Sequence, residues 1–432
     1  MHDFRYVGKQ LFCEDVAVES LAKKFGTPFY VYSQNTLTAH FQKLDQALAP
    51  LNHQICFAMK ANSNLSVMRM LANLGSGFDV VSSGELQRVI AAGGDPRQCV
   101  FAGVAKTEPE IDFALRQGIY SFNVESEPEI IRINRVAARL KKRAPIAVRI
   151  NPNVSADTHA KITTGTYENK FGIQFEDVEA VYARASKLRH IRLRGVQMHI
   201  GSQLTHVEPY ELAVAKVSPL VKKLAAQYGL EFFSPGGGLG IVYNHALDSG
   251  AGQWWSSAAA RGILTPAAYA EKLLPLLQPL GLKILIEPGR FIVGNAGILV
   301  TRVEYVKRTG TKNFVIVDAA MNDLIRPAFY DAYHEIVPLT KKGGATIASD
   351  VVGPICESGD FFCKDRPLPK VGEGDYLALL SAGAYGFVMA SNYNTRPLVP
   401  EILVHGRRFA AARERQAVAD IWAGEKVVAW LK

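Results

Sequence analysis

The chain has 432 residues, with 49 Lys+Arg against 40 Asp+Glu, a formal net charge of +9, and 48% hydrophobic and 21% charged residues. That length allows one to three domains with cores of ordinary size, and the composition excludes a disordered chain, a collagen and a disulfide-rich mini-protein. The positive balance is spread along the chain with no block of five like charges, which points to anionic small ligands rather than nucleic acid.

The five cysteines (Cys13, Cys56, Cys99, Cys356 and Cys363) are scattered without a CxxC pair, so neither a zinc site nor a disulfide framework is expected. The first residues, MHDFRYVGKQ, carry no apolar run and no small-residue cleavage site. The longest uncharged stretch, Tyr376 to Thr395, holds Ser381, Gly383, Gly386, Ser391, Asn392 and Asn394, and is too polar for a membrane span. A cytoplasmic location is expected.

In chain order, Phe29–Tyr32 reads as a strand and Leu37–Leu48 as a helix. Eight short apolar runs follow: Ile55–Ala58, Phe78–Val81, Val100–Ala102, Ser121–Val124, Ile146–Ile150, Leu193–Met198, Glu231–Phe233 and Ile284–Ile286. Between them lie stretches with helical spacing, such as Leu65, Met68, Leu71 and Leu86, Val89, Ile90. Thr107-Glu-Pro-Glu110 and Ser126-Glu-Pro-Glu129 match the capping-box pattern, and Gly93-Gly94 and Gly118 stand where helices should stop. Eight strand–helix units over such a span suit a (β/α)8 barrel of ~250 residues. No GxGxxG follows the first strand, which leaves a dinucleotide-binding sheet unsupported. After Arg290 the runs Ile298–Val306, Asn313–Val317, Gly374–Leu380 and Leu398–Val404 are β-rich. The expected organisation is an α/β chain with a barrel at 36–292 and a mostly β domain built from 1–35 and 293–432. A surface or rim loop is expected over Asn244–Leu264, which carries Trp254-Trp255.

In such a barrel, chemistry sits where strands end. Those ends carry Lys60, Asp79, Arg149, His199, the run Gly236-Gly237-Gly238 and Glu287. Lys60 directly follows four apolar residues, where desolvation would favour the neutral amine and allow a Schiff base; the alternative is a lysine snorkelling to water. The glycine run offers unobstructed backbone N–H groups for a phosphate, or is a plain turn. His199 reads as a base, a stacking ring or a structural histidine. Glu287 ends an apolar strand and needs a cation or donor; Arg290 is one candidate and a protonated ring nitrogen another. Lysine, phosphate loop and carboxylate are the parts of a pyridoxal phosphate (PLP) site, and they also leave open a Schiff-base aldolase acting on a phosphorylated sugar.

The motifs Phe57-Ala-Met-Lys-Ala-Asn62, Gly77-Phe-Asp-Val-Val-Ser-Ser-Gly-Glu85, Glu168-Asn-Lys-Phe-Gly172, His199-Ile-Gly-Ser202, Gly236-Gly-Gly-Leu-Gly240, Glu287-Pro-Gly-Arg290, Arg326-Pro-Ala-Phe-Tyr330, Cys356-Glu-Ser-Gly-Asp360 and Gly383-Ala-Tyr-Gly386 occur in order. With them the chain resembles, over nearly its whole length, the fold-type III PLP-dependent decarboxylases of the alanine-racemase-like barrel group. The resemblance implies that Lys60 holds PLP covalently, His199 stacks on its ring and Glu287 bonds the ring nitrogen. It gives Asp79 and Glu85 supporting roles, sets Arg149 near the phenolic oxygen, and has Ser202, Gly236–Gly238, Gly289 and Tyr385 hold the phosphate. Arg290, with a share in the cofactor site, would join Arg326 and Tyr330 in binding substrate carboxylate. Glu357 and Tyr385 would also face substrate. Cys356 and Glu357 would reach the neighbouring subunit's site, which implies a homodimer with shared active sites.

The implied reaction is decarboxylation of meso-2,6-diaminopimelate to L-lysine. The family's ornithine members carry Cys-Asp where this chain has Cys356-Glu357. Ornithine, arginine, carboxynorspermidine and carrier-bound glutamyl substrates are the alternatives within the family, and a catalytically silent homologue is an alternative outside enzymology.

Overall fold

The eight expected barrel strands all form in the computed structural model, which describes residues 2–154 and 170–431. Glu168 and Asn169 of the fourth motif lie outside the described residues. The strands are β1 His53–Ala58, β2 Gly77–Val80, β3 Cys99–Phe101, β4 Ser121–Val124, β5 Ala144–Asn151, β6 Ile191–Met198, β7 Phe232–Gly236 and β8 Lys283–Ile286. Each pairs in parallel with the next, and β8 pairs back onto β1 through Ile284–His53 and Ile286–Ile55, so the barrel closes. A two-residue strand, Ile173–Gln174, adds beside β5.

The two proposed helix caps differ in outcome. Glu110 accepts from both the N–H and the hydroxyl of Thr107, at 3.0 and 2.8 Å, and opens the helix Glu108–Gln117 as expected. Ser126 caps Glu127–Arg139 through the Glu129 N–H (3.4 Å), but the Glu129 carboxylate does not return to it. It accepts instead from the Glu125 N–H (2.8 Å) and from the buried Lys106 ammonium (2.6 Å). A buried lysine needs a counter-charge, and that need outweighs the local cap.

The lower barrel is plugged by Cys56, Val100, Ala147, Phe232 and Leu285. Gly195 of β6 makes room for the plug: a Cβ there would lie 2.5–2.7 Å from the Phe232 ring.

Two compact units divide the chain: Thr38–Ile241 with Ala260–Ile292, and Met1–Leu37 with Val242–Ala259 and Val293–Lys432. In the second unit Phe29–Ser33 pairs antiparallel with Gly297–Arg308 and parallel with Glu401–His405. Its core gathers Phe4, Leu11, Phe29, Val31, Ile298, Val300, Ile402 and Val404. The hairpin-like pair Thr346–Val352 and Phe361–Pro369 was not expected from the sequence. The segment Val242–Ala259 differs from the sequence boundaries, which assign it to the barrel. It groups with the β-rich unit because Ala246 enters that unit's core and the Leu247 N–H donates to Glu335 (2.9 Å). Three short 3-10 turns carry it, and Trp255 Nε1 is tied to the Ser249 carbonyl at 2.9 Å.

Gly195→Ala should push a methyl into the Phe232 ring and destabilise the protein by roughly 1–3 kcal/mol, with recovery in Gly195→Ala/Phe232→Leu. Denaturant midpoints of the single and double variants check this; equal midpoints for wild type and Gly195→Ala would show that the plug tolerates more volume.

Candidate active site

Lys60 stands on a single 3-10 turn, Met59–Ala61, directly after β1. The turn is fixed from the C-terminal side by two asparagines: Asn62 Oδ1 accepts from the Asn64 N–H (3.0 Å), and Asn64 Oδ1 caps the helix Leu65–Asn73 through the Ser66 N–H (2.9 Å). The Lys60 ammonium donates to Asp79 Oδ2 at 2.6 Å. Its side chain is 40% exposed whereas that of Asp79 is 2% exposed. The expected desolvated amine is therefore replaced by an ion pair at the rim, because the turn carries Lys60 off the strand before its side chain begins. Asp79 Oδ1 is buried with no hydrogen-bond partner among the described residues. Glu85 has a local task, accepting from the Val81 N–H at 2.7 Å at the start of the helix Ser83–Ala91. Burial pushes its carboxyl up to about 7, with Lys60 and Asp79 close enough to pull it in opposite directions.

Glu287 follows β8 and is buried. It accepts from Ser234 Oγ (2.9 Å) and Asn123 Nδ2 (3.4 Å) on one oxygen and from Gln197 Nε2 (2.8 Å) on the other. Burial, then the neighbouring Asp79 charge, push its carboxyl up to about 7, while the Ser234 and Gln197 hydrogen bonds and the Lys60 charge pull it down. Arg290, expected as a candidate partner, turns away. It begins the short helix Arg290–Val293 and donates to Ser202 Oγ at 3.3 Å.

His199 Nδ1 accepts from the Gly237 N–H at 3.3 Å. Burial, then the charges of Arg149 and Lys60, hold this imidazole well below its usual range, so the ring is neutral. Gly236–Gly238 run too close to neighbouring backbone for any side chain. A Cβ on Gly237 would meet the Glu287 carbonyl at 1.9 Å, and one on Gly238 the Gly201 carbonyl at 2.3 Å. Gly236 and Gly238 also have φ of 84° and 98°, the left-handed region that glycine tolerates. Gly289 packs against Ala58, just before the Lys60 turn, and Ala61, the turn's last residue. Arg149 pairs with Glu125 at 3.0 Å and lies 4.7 Å from the Phe171 ring centroid, and Glu125 also accepts from the Gly172 N–H at 2.9 Å.

The remaining expected residues belong to the β-rich unit and lie on three separate segments. Arg326 and Tyr330 bound a short helix, and Tyr385 sits in a loop with φ of 55°. Cys356 and Glu357 share a loop that Asp360 organises, accepting from the Met321 and Ile355 N–H groups at 2.7 Å each. Cys356 is exposed. Sequence reasoning missed Asn123, Gln197, Ser234 and Glu125. Each is a polar residue in or just after an apolar barrel strand, the same signal that marked Glu287.

These groups fit pyridoxal phosphate. The side-chain-free backbone at the Gly238 end of the glycine run, beyond the Gly236 and Gly237 N–H groups that donate to Ser234 and His199, suits a phosphate. A primary amine stands at the rim, and the buried oxygens Asp79 Oδ1, Asn123 Oδ1 and Gln197 Oε1 have no partners among the described residues. Comparisons with known proteins agree. The pyridoxal-binding domain of the pyridoxal-dependent decarboxylases matches residues 34–294. The diaminopimelate decarboxylase of Pseudomonas aeruginosa is 48% identical over 99% of this chain and 100% of its own. The crystal structure of diaminopimelate decarboxylase from Helicobacter pylori complexed with L-lysine is 41% identical, with a TM-score of 0.87, covering 94% of this chain and 98% of that one. The M. jannaschii diaminopimelate decarboxylase in co-complex with L-lysine is 35% identical, with a TM-score of 0.91 and full coverage of both chains.

Because the Glu287 carboxyl is raised to about 7 from an ordinary 4.5, the cofactor-free protein binds an extra proton there that the unfolded chain has lost. That contribution is present below about 4.5 and lost as pH rises through about 7. Glu287→Gln should match wild-type stability near about pH 4 and exceed it near about pH 8, by roughly 3 kcal/mol at most. Denaturation of both cofactor-free proteins across that range checks the sign; a constant difference would contradict it.

Proposed function

The chain belongs to the pyridoxal-dependent decarboxylase family, among the diaminopimelate decarboxylases, and from that premise we propose that it converts meso-2,6-diaminopimelate to L-lysine and carbon dioxide. The observation that carries the reading is the buried Glu287 carboxylate, held by three neutral donors in the same barrel that presents Lys60 and the glycine cradle.

When bound, PLP supplies an electron sink for the pair released as the Cα–carboxylate bond breaks. The residues of this chain do the rest. Lys60 would be the covalent anchor, with Asp79 holding its nitrogen at the rim and Glu85 supporting that end of the barrel. Gly236–Gly238, Ser202 and Gly289 would hold the phosphate, with Arg290 beside Ser202. Glu287 would keep the ring nitrogen protonated, His199, a neutral imidazole, would cover a ring face, and Arg149 would serve the phenolic oxygen. A charge pair near 4 Å at an effective dielectric of about 20 is worth about 4 kcal/mol. That sets the scale of the Glu287 contribution at up to about three decades of rate.

Arg326 and Tyr330 would bind carboxylate at the far end of the substrate, and Glu357 would take the distal ammonium. The electron pair left at Cα is quenched by a proton, with Lys60 and Cys356 the candidate donors. The exposed Cys356 loop suits a homodimer in which Cys356 and Glu357 complete the neighbouring subunit's site. The five cysteines are free thiols, which fits a cytoplasmic enzyme. Among the described residues no helix is long and apolar enough to cross a membrane.

PLP-loaded protein should release carbon dioxide from meso-diaminopimelate far faster than from ornithine, arginine or carboxynorspermidine, and Lys60→Ala should lose both the release and the visible absorption of the bound cofactor. Release from ornithine alone would redirect the substrate assignment. Lys60→Ala mixed with Cys356→Ala should regain part of the wild-type rate; no regain despite demonstrated subunit exchange would remove the shared site.

A further inference from the structure

Arg326 is buried, yet its guanidinium bears on a fully buried histidine: Nη1 stands 2.7 Å from His334 Nε2. A guanidinium can only donate, so Nε2 must carry a lone pair. The other ring nitrogen settles the tautomer, because His334 Nδ1 is 2.8 Å from the Leu380 carbonyl, which can only accept. The imidazole is therefore neutral, with its proton on Nδ1 and its acceptor aimed at Arg326. Tyr243 closes the arrangement, packing edge-on to the imidazole (centroids 5.4 Å apart), with the Arg326 guanidinium 4.8 Å from its ring centroid. Arg366 donates to the His334 carbonyl and so fixes the backbone as well. Four segments converge to hold one guanidinium at one angle.

We propose that His334 is a positioning residue that sets the plane of the Arg326 guanidinium for the carboxylate at the non-reacting end of the substrate. This rests on the reading of Arg326 as a carboxylate binder. Bidentate recognition of a carboxylate depends on the plane of the fork as much as on its charge. A lone positive charge on a mobile arm would attract any anion. A fork locked by an imidazole acceptor selects a planar carboxylate at one place, and so selects a substrate with a second head group.

The product, L-lysine, keeps the L-centre of the meso substrate, so the distal head group is the one that L-lysine retains. D-Lysine carries the reacting head group and lacks the distal carboxylate. In the PLP-loaded enzyme, His334→Leu should raise KM for meso-diaminopimelate and the inhibition constant of L-lysine together, by about tenfold or more. Turnover at saturation, PLP uptake and inhibition by D-lysine should stay within about twofold of wild type. His334→Gln, which restores an acceptor, should recover most of the loss. Unchanged KM and L-lysine inhibition in a folded, PLP-binding His334→Leu would overturn the proposal. So would a parallel fall in PLP uptake and D-lysine binding, which marks a merely structural histidine. Arg326→Lys separates the premise: if it leaves KM unchanged, the assignment of Arg326 has failed; if it raises KM while His334→Leu does not, only the positioning role has.

Discussion

A carboxylate buried at the end of the eighth barrel strand is the constraint around which the rest of the site is built. Water is gone from Glu287, and an ionised carboxyl without partners would be prohibitive there. Three strands answer it with neutral donors: Asn123 from β4, Gln197 from β6 and Ser234 from β7. Neutral donors stabilise the charge only partly, and Asp79 opposes it, so the carboxyl stays raised. A carboxylate left short of positive charge is poised for a cationic ligand. A protonated ring nitrogen meets that description.

The same economy of partners recurs around the rim. Lys60 is held by Asp79, Arg149 by Glu125, and Arg290 by the Ser202 hydroxyl, so each cation is aimed rather than merely present. The glycine run carries no side chains because the Met198, Gly201 and Glu287 carbonyls occupy the space that Cβ atoms would need. The Gly236 and Gly237 N–H groups already donate to Ser234 Oγ (3.1 Å) and His199 Nδ1 (3.3 Å), so it is the Gly238 end of the run that faces an anion with its N–H. In the β-rich unit, Asp360 performs the equivalent task for the loop bearing Cys356, capturing two backbone N–H groups with one carboxylate.

Much of the barrel was legible in the sequence because parallel strands buried on both faces read as apolar runs, and their polar ends stand out against them. Lys60, Asp79, His199, the glycines and Glu287 were marked as candidates that way. Their partners were not, since Asn123, Gln197 and Ser234 are ordinary polar residues whose meaning comes only from a shared neighbour across the barrel. Where local and distant partners competed, the distant one won. Arg290 is three residues from Glu287 yet bonds Ser202, and Glu129 leaves its cap for Lys106. The strands Thr346–Val352 and Phe361–Pro369 escaped notice because Ser349, Asp350, Lys364 and Asp365 break the apolar pattern. The segment around Trp254 joins the β-rich unit through Ala246, a small residue that leaves no periodic signal.

The ionic state of the cofactor's ring nitrogen tests the central claim most directly. Protein loaded with PLP labelled with 15N in the ring would be examined by nitrogen NMR, wild type beside Glu287→Gln. A protonated pyridinium signal in wild type that moves toward neutral pyridine in the variant is the result expected if Glu287 governs that nitrogen. A neutral pyridine signal in the wild-type enzyme, or an identical signal in both proteins, would contradict it.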